Sequence, residues 1–146
     1  TLFKDYVVPE LSKDQGVLWV VIDNLRYDQY RILEPLINNH YKKDEEYAYF
    51  SILPTATQYA RNAIFSGLMP SEMEKRHPNF WKNDTDEGGK NLFEAKLVGE
   101  LLRRTVRRPL KFDYVKVTNG HHAKNLRDNI LNYLNNDITF VVYTLH

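Results

Sequence analysis

Six consecutive apolar residues, Val17 to Ile22, run directly into a carboxylate, Asp23. An uninterrupted Val/Ile-rich run of that length, preceded by Gly16 and followed by polar residues, predicts a β-strand buried on both faces. Such strands belong to parallel sheets covered by helices. In open α/β folds the ligand crevice lies at the carboxyl ends of the strands. Asp23 falls at such an end, where a carboxylate can hold a metal or a substrate.

The remaining pattern alternates strands with helices. Tyr30, Leu33, Leu36, Ile37 and Tyr41 recur at helical spacing and predict an amphipathic helix over 27–41, with Pro35 inside it. Lys42–Glu46 reads as a charged turn, and Tyr47–Leu53 as a second strand closed by Pro54. Thr57–Phe65 reads as a helix stopped by Gly67. Leu68–Gly89 is punctuated by Pro70, Pro78 and Gly88-Gly89 and reads as a long irregular excursion anchored by Phe80-Trp81, a kind of loop that is often functional. Leu92–Arg104 predicts a helix with Leu92, Ala95, Leu101 and Leu102 on one side. A strand over Phe112–Val117, a turn at Thr118–Gly120, a helix over His122–Leu134 and a last strand over Ile138–Tyr143 follow. This order predicts an α/β domain with a mostly parallel sheet and flanking helices. Thr1–Gln15, polar and interrupted by Pro9, reads as a lead-in or linker before a domain spanning 16–146.

Composition narrows the function. With 20 Lys+Arg against 19 Asp+Glu the net charge is +1, which gives no reason to expect a duplex nucleic-acid or membrane-surface binder. No apolar stretch reaches membrane-spanning length and none near residue 1 resembles a leader, so a cytoplasmic protein is expected. Cysteine is absent, so a metal would have to sit on Asp, Glu or His.

The second informative stretch is Leu53-Pro-Thr-Ala-Thr-Gln-Tyr-Ala-Arg-Asn-Ala-Ile-Phe-Ser-Gly67. Thr55 and Thr57 stand at a junction into a helix. Either hydroxyl could cap that helix. Alternatively, a hydroxyl beside the free amides and positive dipole end of a helix is placed to meet a phosphate, and with a metal to deprotonate it could be a nucleophile. The histidine pair His121-His122 opens a helix and reads as solvated, and His40 and His77 as surface residues. Arg103-Arg104 and Arg107-Arg108 form a basic cluster that could meet a nucleic-acid or nucleotide phosphate but more often is a solvated helix end.

Together, Ile22-Asp-Asn-Leu-Arg-Tyr-Asp28 and Leu53–Leu68 resemble the PglZ domain of the alkaline phosphatase superfamily, most closely the form that serves as effector domain of a response regulator linked to type IX secretion. The resemblance runs from about Gly16 to Tyr143. It implies part of an alkaline-phosphatase-like fold, a zinc-dependent phosphodiesterase or phosphatase with two zinc ions, Asp23 as a metal ligand, and Thr57 as nucleophile and metal ligand. Arg61 and Asn62 become substrate-binding candidates, beside the plainer reading of a helix-surface salt bridge or hydrogen bond. Thr55 is the lesser candidate nucleophile, and Arg26 and Asp28 brace the loop. It further implies a phosphate-ester or nucleotide substrate, an upstream receiver domain, and a sensor kinase or sigma factor as partner. The alternative is a non-catalytic signalling module controlling secretion or gene expression. Further metal ligands are implied beyond the strand 138–143, where this sequence continues only to His146, so about half of a two-metal site and a partial domain are expected. Asp23 and Thr57 are expected at one carboxyl edge of the sheet.

Overall fold

The computed structural model describes residues 1–53, 55–79 and 93–144. A π-helical turn, Phe3–Val7, leads into α1 (Val8–Leu11) and then β1 (Val17–Asp23). After β1 come α2 (Tyr27–Asn38), α3 (Thr57–Ser66), α4 (Pro70–Arg76) and α5 (Glu94–Thr105). The chain closes with β2 (Phe112–Val117), α6 (Gly120–Asp128), a 3-10 turn (Ile130–Tyr133) and β3 (Ile138–Thr144). The sheet order is β1-β3-β2, and both pairings are parallel, so the expected α/β architecture with flanking helices is present. Val17 pairs with Ile138 and Asp23 with Thr144, so β1 and β3 end level with one another.

The period-two geometry of strands explains the core. Ile138, Phe140 and Val142 of β3 point into one cluster with Phe3, Leu11, Phe65, Val98, Leu101 and Leu102. Val17, Trp19 and Val21 of β1 and Phe112 and Tyr114 of β2 pack against that cluster from the flanking strands. Phe65 meets Tyr114 edge-on at 6.0 Å between centroids, and α5 contributes Leu97, Val98, Leu101 and Leu102 as a buried stripe.

Several expectations are corrected. The strand buried on both faces is β3, whose first five residues are all buried, whereas Leu18 and Val20 of β1 are 50% and 45% exposed. The apolar run of β1 does mark a parallel strand, but its flanking position leaves its second face open. Tyr47–Leu53 forms no strand, and Phe50 and Leu53 are exposed. β-propensity records fit to a pleated, half-buried surface rather than a backbone preference. Here β3 already has a partner on each side. The helix over α2 is present and runs through Pro35, but its apolar residues Leu36 and Ile37 are exposed while Glu34 is buried, bonded to Arg31 and Lys43. On α5 the buried stripe starts with Glu94 rather than Ala95, which is exposed; Leu92 lies outside the described residues. Within Leu68–Gly89, Pro70–Arg76 is helical, with Pro70 in its first turn and Glu72 Oε2 accepting the Met69 amide at 3.0 Å. Phe80, Trp81 and the rest of that excursion lie outside the described residues. The helix expected to 134 gives way after Asp128 to the 3-10 turn. Thr1–Gln15, expected as a lead-in, is helical over Phe3–Leu11, and Phe3 is fully buried against Trp19 at 5.4 Å between centroids.

Candidate active site

Asp23 is the last residue of β1, and the chain turns away immediately through Asn24 in a left-handed conformation (φ 64°). Asn tolerates that region better than most residues. Asp23 Oδ1 accepts the Asn24 amide at 3.1 Å. Its Oδ2 accepts from Arg61 Nη1 at 3.2 Å, a contact across 38 residues that joins the carboxyl end of β1 to α3. The other terminal nitrogen of Arg61 donates to Glu94 Oε2 at 2.6 Å, and the same oxygen accepts the Tyr114 hydroxyl. Four elements, β1, α3, α5 and β2, therefore meet in one polar cluster.

The cluster is buried. Arg61 is 4% exposed, Asn62 3% and Glu94 1%. Burial works to lower the Arg61 pKa, but the Glu94 charge and hydrogen bond, with Tyr114 and Asp23, outweigh it and hold the guanidinium above its ordinary range. Burial, then the Glu94 charge and hydrogen bond, push the Tyr114 phenol well up, so it stays a donor. Among the described residues, Arg61 Nε, Glu94 Oε1 and Asn62 Oδ1 are buried without a hydrogen-bond partner, as is Thr144 Oγ1 opposite Asp23 in the sheet.

Thr57 is the first residue of α3 and is half-buried; Thr55 is exposed. The N-cap is Ala56, and no side chain caps the helix, so neither threonine has the capping role. The Ala56 carbonyl accepts the Tyr59 and Ala60 amides, each at 3.0 Å, which begins the helix and leaves the first-turn amides of Thr57 and Gln58 without intrahelical partners. Thr57 and Arg61 are four residues apart and share a helix face. The Arg61–Asp23 bond therefore ties α3, one turn beyond Thr57, to the carboxyl end of β1. Arg61 and Asn62 are not helix-surface residues, and both terminal nitrogens of Arg61 are held by carboxylates.

Sequence reasoning missed Glu94 and Tyr114. The signal for Glu94 was an acid in helical phase with Leu97, Val98 and Leu101, and for Tyr114 its place two residues after the inward-facing Phe112. Three of the four arginines of the basic cluster have partners within the fold. Arg103 pairs with Glu100, Arg104 donates to the Ser66 carbonyl at the end of α3, and Arg108 donates to the Leu11 carbonyl at 3.2 Å. His121 and His122 are exposed at the start of α6, where Asn119 Oδ1 caps the His122 amide at 2.9 Å.

The described residues hold no group of three or more His, Cys, Asp or Glu arranged to bind a metal. Zinc centres take three or more protein ligands. Asp23 and the Thr57 hydroxyl fall short of that, and Asp23 already carries a guanidinium on one oxygen, so these residues alone do not fit a zinc centre; His146 lies outside the described residues. Among the described residues no helix is long and apolar enough to cross a membrane.

The sheet is parallel and flanked by helices, with Asp23 at the carboxyl end of β1 and Thr57 at the start of α3. Over residues 2–143 the chain matches the family described as the BREX system PglZ alkaline phosphatase-like domain, and it belongs to that family. No curated protein matches it.

Proposed function

We propose that this domain is the part of a metal-dependent phosphodiesterase or phosphatase that carries the nucleophile, Thr57. The observation that supports it most is the Asp23–Arg61 bond, which joins the strand-end carboxylate to the helix that Thr57 begins. The first-turn amides of α3 would receive the phosphate oxygens, and the helix dipole would favour the anion. Thr57 Oγ1 would then displace the ester's alcohol from phosphorus, the hydroxyl proton leaving with that alcohol, and water would release the phosphate from the phospho-threonine. In this reading Asp23 is the metal ligand this segment offers, and any zinc site is completed by donors outside the described residues. Arg61 and Asn62 are too buried to meet substrate in this arrangement, so we place Arg61 behind Asp23 rather than on the phosphate.

The test is Thr57→Ala in the full-length protein, assayed on bis(p-nitrophenyl) phosphate and p-nitrophenyl phosphate. Hydrolysis should fall to the uncatalysed background, with the denaturation midpoint almost unmoved because Thr57 makes no cap bond. Full activity in the variant overturns the assignment.

A second reading, a domain that works by binding a partner protein, draws on the exposed apolar side chains Ile32, Leu36, Tyr41 and Phe50. It fits the resemblance to the effector domain of the PorX response regulator, with an upstream receiver domain and a sensor kinase or sigma factor as partner, while the matched family's description points instead to a BREX setting. A wild-type full-length protein inert toward both phosphate esters would favour it.

A further inference from the structure

We infer that Glu94 is a positioning residue for the Asp23 carboxylate, acting through Arg61 and braced by Tyr114; this rests on the hydrolytic reading above. Glu94 is 1% exposed and cannot touch a substrate. Its Oε2 holds Arg61 Nη2 at 2.6 Å and also accepts the Tyr114 hydroxyl, so the guanidinium is fixed by groups from α5 and β2. The longer bond, 3.2 Å, is the one Arg61 makes to Asp23. The anchor is therefore on the Glu94 side and the presented end is Nη1.

Asp23 is consequently held at both oxygens, Oδ1 by the Asn24 amide and Oδ2 by Arg61. Each carboxylate oxygen offers two lone pairs. Among the described residues one on each remains, its direction set by these two bonds, and the Asp23 side chain keeps 15% of its surface open. Orientation of an acid by groups behind it is the usual means of holding a reactive carboxylate in one geometry.

A purely stabilising role explains the cluster poorly. Two carboxylates share one guanidinium, and Glu94 Oε1, Arg61 Nε and Asn62 Oδ1 are buried with no partner among the described residues. Apolar residues of similar volume usually stabilise as well as or better than a buried ion pair. What apolar residues cannot do is aim Asp23.

The experiment uses the full-length protein and bis(p-nitrophenyl) phosphate, with Asp23→Asn, Glu94→Gln and the double variant. Glu94→Gln should lower kcat about 10- to 100-fold with KM little changed, the range seen when a group that orients an active-site ligand is removed. On the Asp23→Asn background it should add no further loss. Tyr114→Phe, which removes one hydroxyl, should show the same pattern more weakly and replaces Glu94→Gln if that variant does not fold. A kcat within twofold of wild type in Glu94→Gln or Tyr114→Phe, while Asp23→Asn retains only a measurable residue of activity, overturns the positioning role and leaves the hydrolytic reading standing. Losses that multiply in the double variant also overturn it. Full activity in Asp23→Asn overturns both.

Discussion

Arg61 and Glu94 form a buried ion pair, 2.6 Å from Nη2 to Oε2, between helices 33 residues apart in sequence. Removing one member leaves the other charged and desolvated. Arg61→Met should destabilise by about 3–5 kcal/mol. Arg61→Met with Glu94→Leu should recover much of that loss, because no buried charge is then orphaned. Urea denaturation of the four proteins of the cycle measures the coupling, and additive losses would mean the two residues do not act as a pair.

Phe3 ties the start of the chain to the core. Its ring stacks on Trp19 and lies 6.4 Å from Phe140, and it is fully buried. Phe3→Ala should cost about 3–5 kcal/mol. A loss under about 1 kcal/mol in denaturant melts would show that Phe3–Leu11 is only a lead-in after all.

Two glycines should respond in opposite directions. Gly67 ends α3 with φ +64°, and an added Cβ would lie 3.1 Å from Leu101 Cδ1. Gly67→Ala should cost about 1–2 kcal/mol through left-handed strain alone. Gly99 lies inside α5, where an added Cβ would meet Phe112 Cζ at 3.6 Å, an ordinary contact. Gly99→Ala should stabilise by about 0.5–1 kcal/mol. Thermal unfolding of both variants tests the contrast, and equal signs would refute it.

Alkaline pH should weaken the fold through Tyr114. Its phenol is held neutral above the ordinary range when folded, first by burial and then by Glu94. The unfolded chain releases that proton near pH 10 and the folded one does not, so above about pH 10 the folded state binds more protons and stability falls as pH rises. Tyr114→Phe should flatten that part of the stability–pH curve. An unaltered slope would mean that Tyr114 titrates normally in the folded protein.

Sequence alone determined the features whose cause is local. Contiguous apolar runs located β1 and β3, and alternation located β2, because a strand in a covered sheet has to be apolar where it is buried. Gly67 marked the end of α3 because few other residues accept its backbone angle. The acid at the end of β1 and the hydroxyl at the start of α3 were legible for the same reason. Other features depended on neighbours distant in sequence. Which strand lies in the middle decided that β3, not β1, is buried on both faces, and that Tyr47–Leu53 pairs with no strand among the described residues. The Asp23–Arg61–Glu94–Tyr114 cluster joins residues 38, 33 and 20 positions apart. An ion pair closed over such separations leaves no period in the sequence. Only the packing of α3 and α5 against the sheet brings those charges within bonding distance, and the low exposure that packing imposes makes their pairing obligatory.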